Sequence, residues 1–291
     1  MLYEGDGACY SCSAGVAKIE TALRRFERDI YETMYLAGCD KARVHLTPKG
    51  CFKNGRGLLL THKPYQANRA NKQAPALLEV LRSSVAAQYF ESNPDIEIIL
   101  NYEVEADDGL MMDAYVYQNG ILVSPDKDLL INPFKSYSKE DGKHSVLNEG
   151  DRFGWIDRKF WSTPTGKPAS KMIGKGTKFF LAQLLMGDTA DNVQGILKLH
   201  GKLCGEAGAF DALSPINDEH EAVNFVIDGY RKINQNIIPE AEAMWLLRNP
   251  KDSSYIYLSE HDLTPDNKAF LDECYHERKW RNELEIELDE H

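Results

Sequence analysis

At 291 residues, 43% of them hydrophobic and 10% aromatic, the chain can build one large α/β domain or a medium domain with a smaller one. No apolar run approaches the roughly 20 residues of a membrane-spanning helix. Met1 to Asp6 also lacks the basic-then-apolar pattern of a secretory leader, so a soluble cytoplasmic protein without a membrane partner is expected. The formal net charge of −11 argues against a uniformly basic nucleic-acid binder, but the charge is segregated. Lys41 to Lys72 holds eight Lys or Arg and no acid; Lys135 to Lys178 holds ten basic and five acidic residues; Ser259 to His291 holds eleven acids and four Lys or Arg. Basic stretches on an acidic chain suit a polyanion path beside a concentrated acidic site, or else two solvated lysine-rich loops. The six cysteines read as reduced thiols. Cys9 and Cys12 have the spacing of half a zinc site, but Cys39 and Cys51 lack it, and ordinary buried thiols are expected.

Along the chain, Met1–Glu4 predicts a short strand followed by a turn at Gly5-Asp6-Gly7. Apolar residues at helical spacing from Val16 to Met34 predict a helix over 14–36, closed by Gly38. Val44–Thr47 is a second strand, and Pro48 to Arg69 a long basic loop. A helix over 76–89, a buried strand at Ile96–Leu100, a helix over 105–117 and a strand at Gly120–Val123 follow. This alternation predicts a mostly parallel sheet with covering helices, whose ligands gather outside the carboxyl ends of the strands. Residues 144–178 read as irregular or hairpin-like, 179–186 as a helix ending at Gly187, and the remainder as mainly helical with an acidic tail.

The carboxylates fall at those strand ends. Asp6 follows the first strand. Glu105, Asp107 and Asp108 open a helix, where the dipole favours negative charge. Asp126 and Asp128, two apart, follow the strand at Ile121, and Asp188 and Asp191 are three apart. Any one pair alone reads more readily as a helix cap or a solvated acidic face than as a metal site. Eight together need cations, and an all-oxygen set suits Mg²⁺, with Mn²⁺ as substitute. Two such ions about 3.5–4 Å apart activate water and stabilise a leaving oxygen in phosphodiester hydrolysis.

The segments Glu105-Ala-Asp-Asp108, Ser124-Pro-Asp-Lys-Asp128 and Met186-Gly-Asp-Thr-Ala-Asp191-Asn-Val-Gln-Gly195 resemble the 5′-nuclease family of flap endonucleases and 5′–3′ exonucleases. Asp6-Gly7 resembles its first-strand aspartate, and Pro64-Tyr-Gln-Ala-Asn-Arg69 its segment at the base of a helical arch. The matches run in family order over about two thirds of the chain, and the divergent C-terminal third resembles the phage branch.

The resemblance implies a PIN-like nuclease domain over 1–187, with a basic loop and helical arch at about 48–93. A mainly helical duplex-binding region over 188–291 would carry a degenerate helix–hairpin–helix. Asp6, Glu105, Asp107 and Asp108 would serve one metal, and Asp126, Asp128, Asp188 and Asp191 a second. Arg69 would contact a phosphate. Lys63, Gln66 and Lys72 would line the arch, and Lys198 and Lys202 would meet the duplex where the family binds K⁺. The implied activity is Mg²⁺-dependent 5′–3′ exonucleolysis and flap cleavage of DNA by a monomer, serving phage replication or recombination in the host cytoplasm, with removal of RNA primers.

Three departures mark the pattern: Gln66 stands where the family has lysine, the second strand ends without an aspartate, and the glycine hairpin after Gly195 is altered. A PIN-like ribonuclease and a catalytically inactive branched-DNA-binding module are the alternatives. Gly166 to Lys178 superficially suggests a phosphate loop, but Gly176 stands where Ser or Thr is needed. Trp155 and Trp161, among basic residues, are expected to pack rather than to stack on bases.

Overall fold

A computed structural model describes residues 1–70, 73–87, 90, 93–277 and 279–281. Lys72, the end of the helix expected to reach 89 and the acidic tail beyond 281 lie outside the described residues. The chain divides into two units. One comprises Met1–Asn54, Lys72–Asn148 and Leu246–Pro250; the other comprises Gly55–Asn71, Glu149–Trp245 and Lys251–His291.

The first unit is a sheet with helices. Its elements are β1 (Leu2–Glu4), α1 (Gly5–Ser13), α2 (Ile19–Ala37), β2 (Ala42–Leu46), α3 (Leu78–Ala86), β3 (Ile96–Leu100), α4 (Ala106–Val116), β4 (Leu122–Val123), β5 (Ser136–Ser138) and β6 (Lys143–Ser145). The strands order as β3-β2-β1-β4-β5-β6, all parallel except β6, which runs antiparallel to β5. This is the mostly parallel α/β sheet that the alternation predicts. The chain winds outward from β1 through β2 to β3, then returns by α4 to β4 on the other side of β1. Residues of α1, α2 and α3 share one core cluster with the strands, and among the described residues that cluster holds none of α4. The order reverses between β1 and β4, the point beyond whose strand ends ligands gather in sheets of this kind.

The core of this unit unites Tyr3, Val44, Leu46 and Val123 of the strands with Cys9, Cys12, Phe26, Ile30 and Leu81 of the helices. Both cysteines of the CxxC pair are thus core residues. The turn expected at Gly5-Asp6-Gly7 is instead the first turn of α1. Glu4 ends β1, and its carboxylate accepts a hydrogen bond from the Gly7 amide at 3.1 Å, capping the helix immediately. Gly5 permits this abrupt switch, because a Cβ there would stand 2.7 Å from the His45 carbonyl oxygen and from Leu46 Cδ2. The helix expected to start at Ala14 begins later, at Ile19, and ends on left-handed Gly38.

The second unit holds β7 (Trp155–Ser162), β8 (Pro168–Lys175), α5 (Thr177–Met186), α6 (Glu206–Leu213), α7 (Glu219–Lys232), α8 (Ile238–Met244), α9 (Ser254–Ser259) and α10 (Pro265–His276). β7 and β8 pair as a two-stranded antiparallel hairpin. Apolar on every side, α5 is buried almost throughout and forms the hub of this unit. Phe180 packs edge-on against Trp245 and Tyr257, which stack on each other with centroids 4.5 Å apart. Arg56 is buried, and its guanidinium reaches the Trp245 carbonyl at 2.6 Å. Among the described residues, no helix is long and apolar enough to cross a membrane.

Candidate metal centre

Acids cluster along the carboxyl edge of the sheet, beginning with Glu4 and Asp126 at the ends of β1 and β4. Glu4 closes β1, and its Oε2 accepts a hydrogen bond from Ser124 Oγ, just past β4. Ser124 Oγ in turn accepts from the Asp126 amide at 2.8 Å, and Asp126 Oδ1 accepts from the Asp128 amide at 2.9 Å. Asp126 thereby caps the short 3-10 turn Lys127–Ile131. Glu4 is buried, and its carboxyl is pushed up to about 7, chiefly by burial, with the charges of Asp126 and Asp6 adding to it. From the sequence, Asp6 stands as the first-strand aspartate; Glu4, two residues earlier, is the acid that ends β1. The available signal was its place as the last residue of an apolar strand.

Asp6 lies in the first turn of α1 and reaches the end of β2. Its Oδ2 accepts from the Thr47 amide at 3.1 Å, and Arg82 of α3 stands 3.2 Å from its Oδ1. Burial raises this carboxyl, while Arg82 and the Thr47 hydrogen bonds pull it down. Thr47 also receives the Ala106 amide on its hydroxyl at 2.9 Å, which fixes the start of α4 beside the end of β2. The β2 end lacks an aspartate, and Asp6 sits hydrogen-bonded to it from the neighbouring helix.

The three acids that open α4 part company. Asp107 is raised well above the ordinary carboxylate range by burial, and then by the negative charges of Glu4, Asp126, Glu105 and Asp108. Glu105 forms an ion pair with Lys53 Nζ at 3.2 Å. Asp108 is fully buried and works as a structural cap: Oδ2 accepts from the Glu105 amide at 3.2 Å and Oδ1 from the Leu247 amide at 3.1 Å. Asp128 stands 3.4 Å from Lys127 Nζ.

In the second unit, two of the segments that carry the family resemblance join. Asp188 and Val193 exchange backbone hydrogen bonds at 2.8 and 2.7 Å, while Asp188 Oδ1 accepts from the Ala190 amide at 2.7 Å. Asp191 accepts from Tyr65 Oη at 3.1 Å, from Gln66 Nε2 at 3.2 Å and from the Arg69 guanidinium. The Gln66 amide donates to the Asp191 carbonyl at 2.8 Å, and Asn192 Nδ2 donates to the Pro64 carbonyl at 2.8 Å. Gln66 adopts a left-handed backbone, φ 55°, which aims its amide at Asp191 rather than outward. Lys63 is exposed. Lys198 and Lys202 are exposed on either side of a tight His200-Gly201 turn, in which Leu199 and Lys202 are paired.

No family model and no curated protein sequence matches the chain. Solved structures do. The D15 protein of bacteriophage T5, crystallised with metal ions, superposes with a TM-score of 0.54 at 14% identity, covering 94% of this chain and 97% of its own. A variant of the T5 D15 flap endonuclease, in a pseudo-enzyme–product complex with DNA and metal ions, superposes at 0.53 and 14%, covering 100% and 99%. Over nearly its whole length, the chain has the fold of a phage 5′-nuclease.

Proposed function

We propose that this chain is a divalent-metal-dependent nuclease that hydrolyses DNA phosphodiesters from 5′ ends, flaps and nicks, as a 5′–3′ exonuclease and flap endonuclease. One observation carries the reading: Glu4 at the end of β1 accepts a hydrogen bond from Ser124 Oγ, which itself accepts from the Asp126 amide just past β4, so carboxylates meet where the strand order reverses, and burial with neighbouring negative charge raises both Glu4 and Asp107. Buried like charges of this kind are stable only when protonated or neutralised by cations. The donor set is carboxylate oxygen throughout, which fits Mg²⁺. Mg²⁺ keeps several waters and needs only one or two direct carboxylates, so a loosely spaced acidic cluster suffices. Such ions supply an activated water and charge neutralisation at the phosphate.

The side chains divide the remaining work. Glu4, Asp107 and Asp126 hold ions at the ends of β1 and β4, and Asp6 is held nearby at the end of β2 by Thr47 and Arg82. Asp128, Asp188 and Asp191 are further proposed ligands by the family resemblance, and Arg69 offers its guanidinium to a phosphate. Lys63, Lys198 and Lys202 are exposed cations for the DNA backbone, the last two in place of a K⁺ ion. The T5 enzyme has been captured with DNA and metal ions, and its fold is this one. A place in phage replication or recombination, with removal of RNA annealed to DNA, belongs to the same proposal. The test is cleavage of a 5′-flapped duplex in Mg²⁺, against EDTA and an Asp126→Asn/Asp128→Asn double variant. Loss of cleavage in both controls supports the reading, and undiminished cleavage by the double variant sinks it.

A further inference from the structure

The β7–β8 hairpin presents two different faces. Its register pairs Ile156 with Gly174, Arg158 with Met172 and Phe160 with Ser170 on one of them. That face is fastened to α6. Glu206 Oε1 accepts from Arg158 Nε at 2.9 Å and from Ser170 Oγ at 2.7 Å, while its Oε2 accepts from the Met172 amide at 2.9 Å. Ile156 and Met172 are buried beneath. The turn is equally fixed: Thr163 N donates to the Lys167 carbonyl at 2.8 Å, and Lys167 N to Thr163 Oγ1 at 3.0 Å.

The opposite face pairs Trp155 with Lys175, Asp157 with Ile173, Lys159 with Lys171 and Trp161 with Ala169. Contrary to the packing expected from sequence, Trp155 and Trp161 are 45% and 44% exposed. Lys159 and Lys171 are exposed side by side between them. Two indoles held at the water interface by a rigid strand, with a lysine pair in between, form an amphipathic surface that folding alone does not require. Of the five basic residues from Trp155 to Lys175, Lys159, Lys167 and Lys171 are exposed, whereas Lys175 is buried and Arg158 pairs with Glu206, in a chain of net charge −11. Six residues of strand separate the indoles by about 20 Å, a span that several unstacked bases can bridge. Asp157 shares this face beside Trp155, and its Oδ1 accepts from the Arg158 amide at 2.7 Å.

We propose that this face binds single-stranded nucleic acid, with bases stacked on Trp155 and Trp161 and phosphates meeting Lys159 and Lys171. The indoles select a single strand because a duplex hides the π-faces of its bases, whereas its phosphates remain available to any lysine. The surface lies wholly within the second unit and uses no metal, so it stands independently of the nuclease reading.

The experiment titrates the full chain with a short oligothymidylate in EDTA, where no hydrolysis occurs, and follows tryptophan quenching and oligonucleotide anisotropy. Trp161→Ala is expected to weaken binding about tenfold, and Trp161→Phe to retain most of it. Lys159→Ala/Lys171→Ala is expected to flatten the dependence of log affinity on log salt by about 1.4, two phosphate contacts' worth. Wild-type affinity in both the Trp161→Ala and the double-lysine variant, each with an unchanged circular dichroism spectrum, overturns the proposal. So does an equal loss of heparin binding in Trp161→Ala, which would make the face a mere polyanion or protein contact. Failure of DNA hydrolysis with oligonucleotide binding intact would remove the nuclease reading and leave this surface standing.

Discussion

Ser124 Oγ donates a hydrogen bond to Glu4 Oε2, tying the carboxyl end of β1 to that of β4 where the strand order of the sheet reverses. The bond uses one lone pair of an acid that sits among others, and it works against burial by favouring the charged form. The Ser124 bond thus offsets part of the rise that burial imposes on the Glu4 carboxyl.

A pH dependence of stability follows. An unfolded Glu titrates near 4.5, and Glu4 in the folded chain is pushed up to about 7. Between these values the folded state keeps a proton that the unfolded chain has lost, so stability falls as pH rises through this window. It falls by on the order of 3 kcal/mol. Denaturant melts of the metal-free protein from pH 4.5 to 8 should show this decline, and Glu4→Gln should flatten it. Added Mn²⁺ should stabilise more at pH 8 than at pH 5, because it binds the ionised acids.

Asp108 and its neighbour Asp107 should behave differently. Asp108→Asn places an amide where two backbone N–H groups now donate, and should cost about 1–3 kcal/mol of stability. Asp107→Asn removes a half-buried carboxyl whose charged form is disfavoured by its surroundings, and should leave the metal-free protein as stable or more so. Thermal denaturation of the two variants side by side distinguishes them. Equal destabilisation would contradict the assignment of Asp108 as a cap.

Gly5→Ala should displace the first turn of α1 from β2, since the new methyl meets His45 O and Leu46 Cδ2 at 2.7 Å. A cost of about 1–3 kcal/mol is expected. Because Asp6 follows directly and is bound to Thr47 N, Mn²⁺ affinity should drop with it, as read by calorimetry.

Asp191→Asn should loosen the 64–69 segment, whose Tyr65, Gln66 and Arg69 side chains all converge on that carboxylate. Limited trypsinolysis should then cut after Arg69 faster than in wild type.

The sheet was legible because apolar strands alternate with amphipathic helices. Asp126 and the α4 acids follow their strands as expected, but Asp126 and Asp128 cap and open a 3-10 turn rather than sharing a face of an extended segment. Local capping was not legible. Glu4 is an ordinary acid in the sequence, and only its Gly7 and Ser124 partners show that it ends a strand in the acidic cluster. Asp108 matches a family ligand by position, but both its oxygens are taken by backbone amides, one of them 139 residues away. Trp155 and Trp161 carry no mark of exposure, since strand parity gives alternate faces without saying which face α6 covers. β5 and β6, three residues each, are too short for a periodic signal.

The central claim is that the acidic cluster at the ends of β1 and β4 holds the divalent ion that hydrolysis requires. It is tested most directly by titrating Mn²⁺ calorimetrically into wild type and Asp107→Asn, and assaying the same preparations on 5′-flapped DNA with Mg²⁺. The account expects Asp107→Asn to lose at least tenfold in Mn²⁺ affinity and to lose cleavage with it, in a protein that melts no lower than wild type. Wild-type Mn²⁺ binding and wild-type cleavage by Asp107→Asn would contradict it.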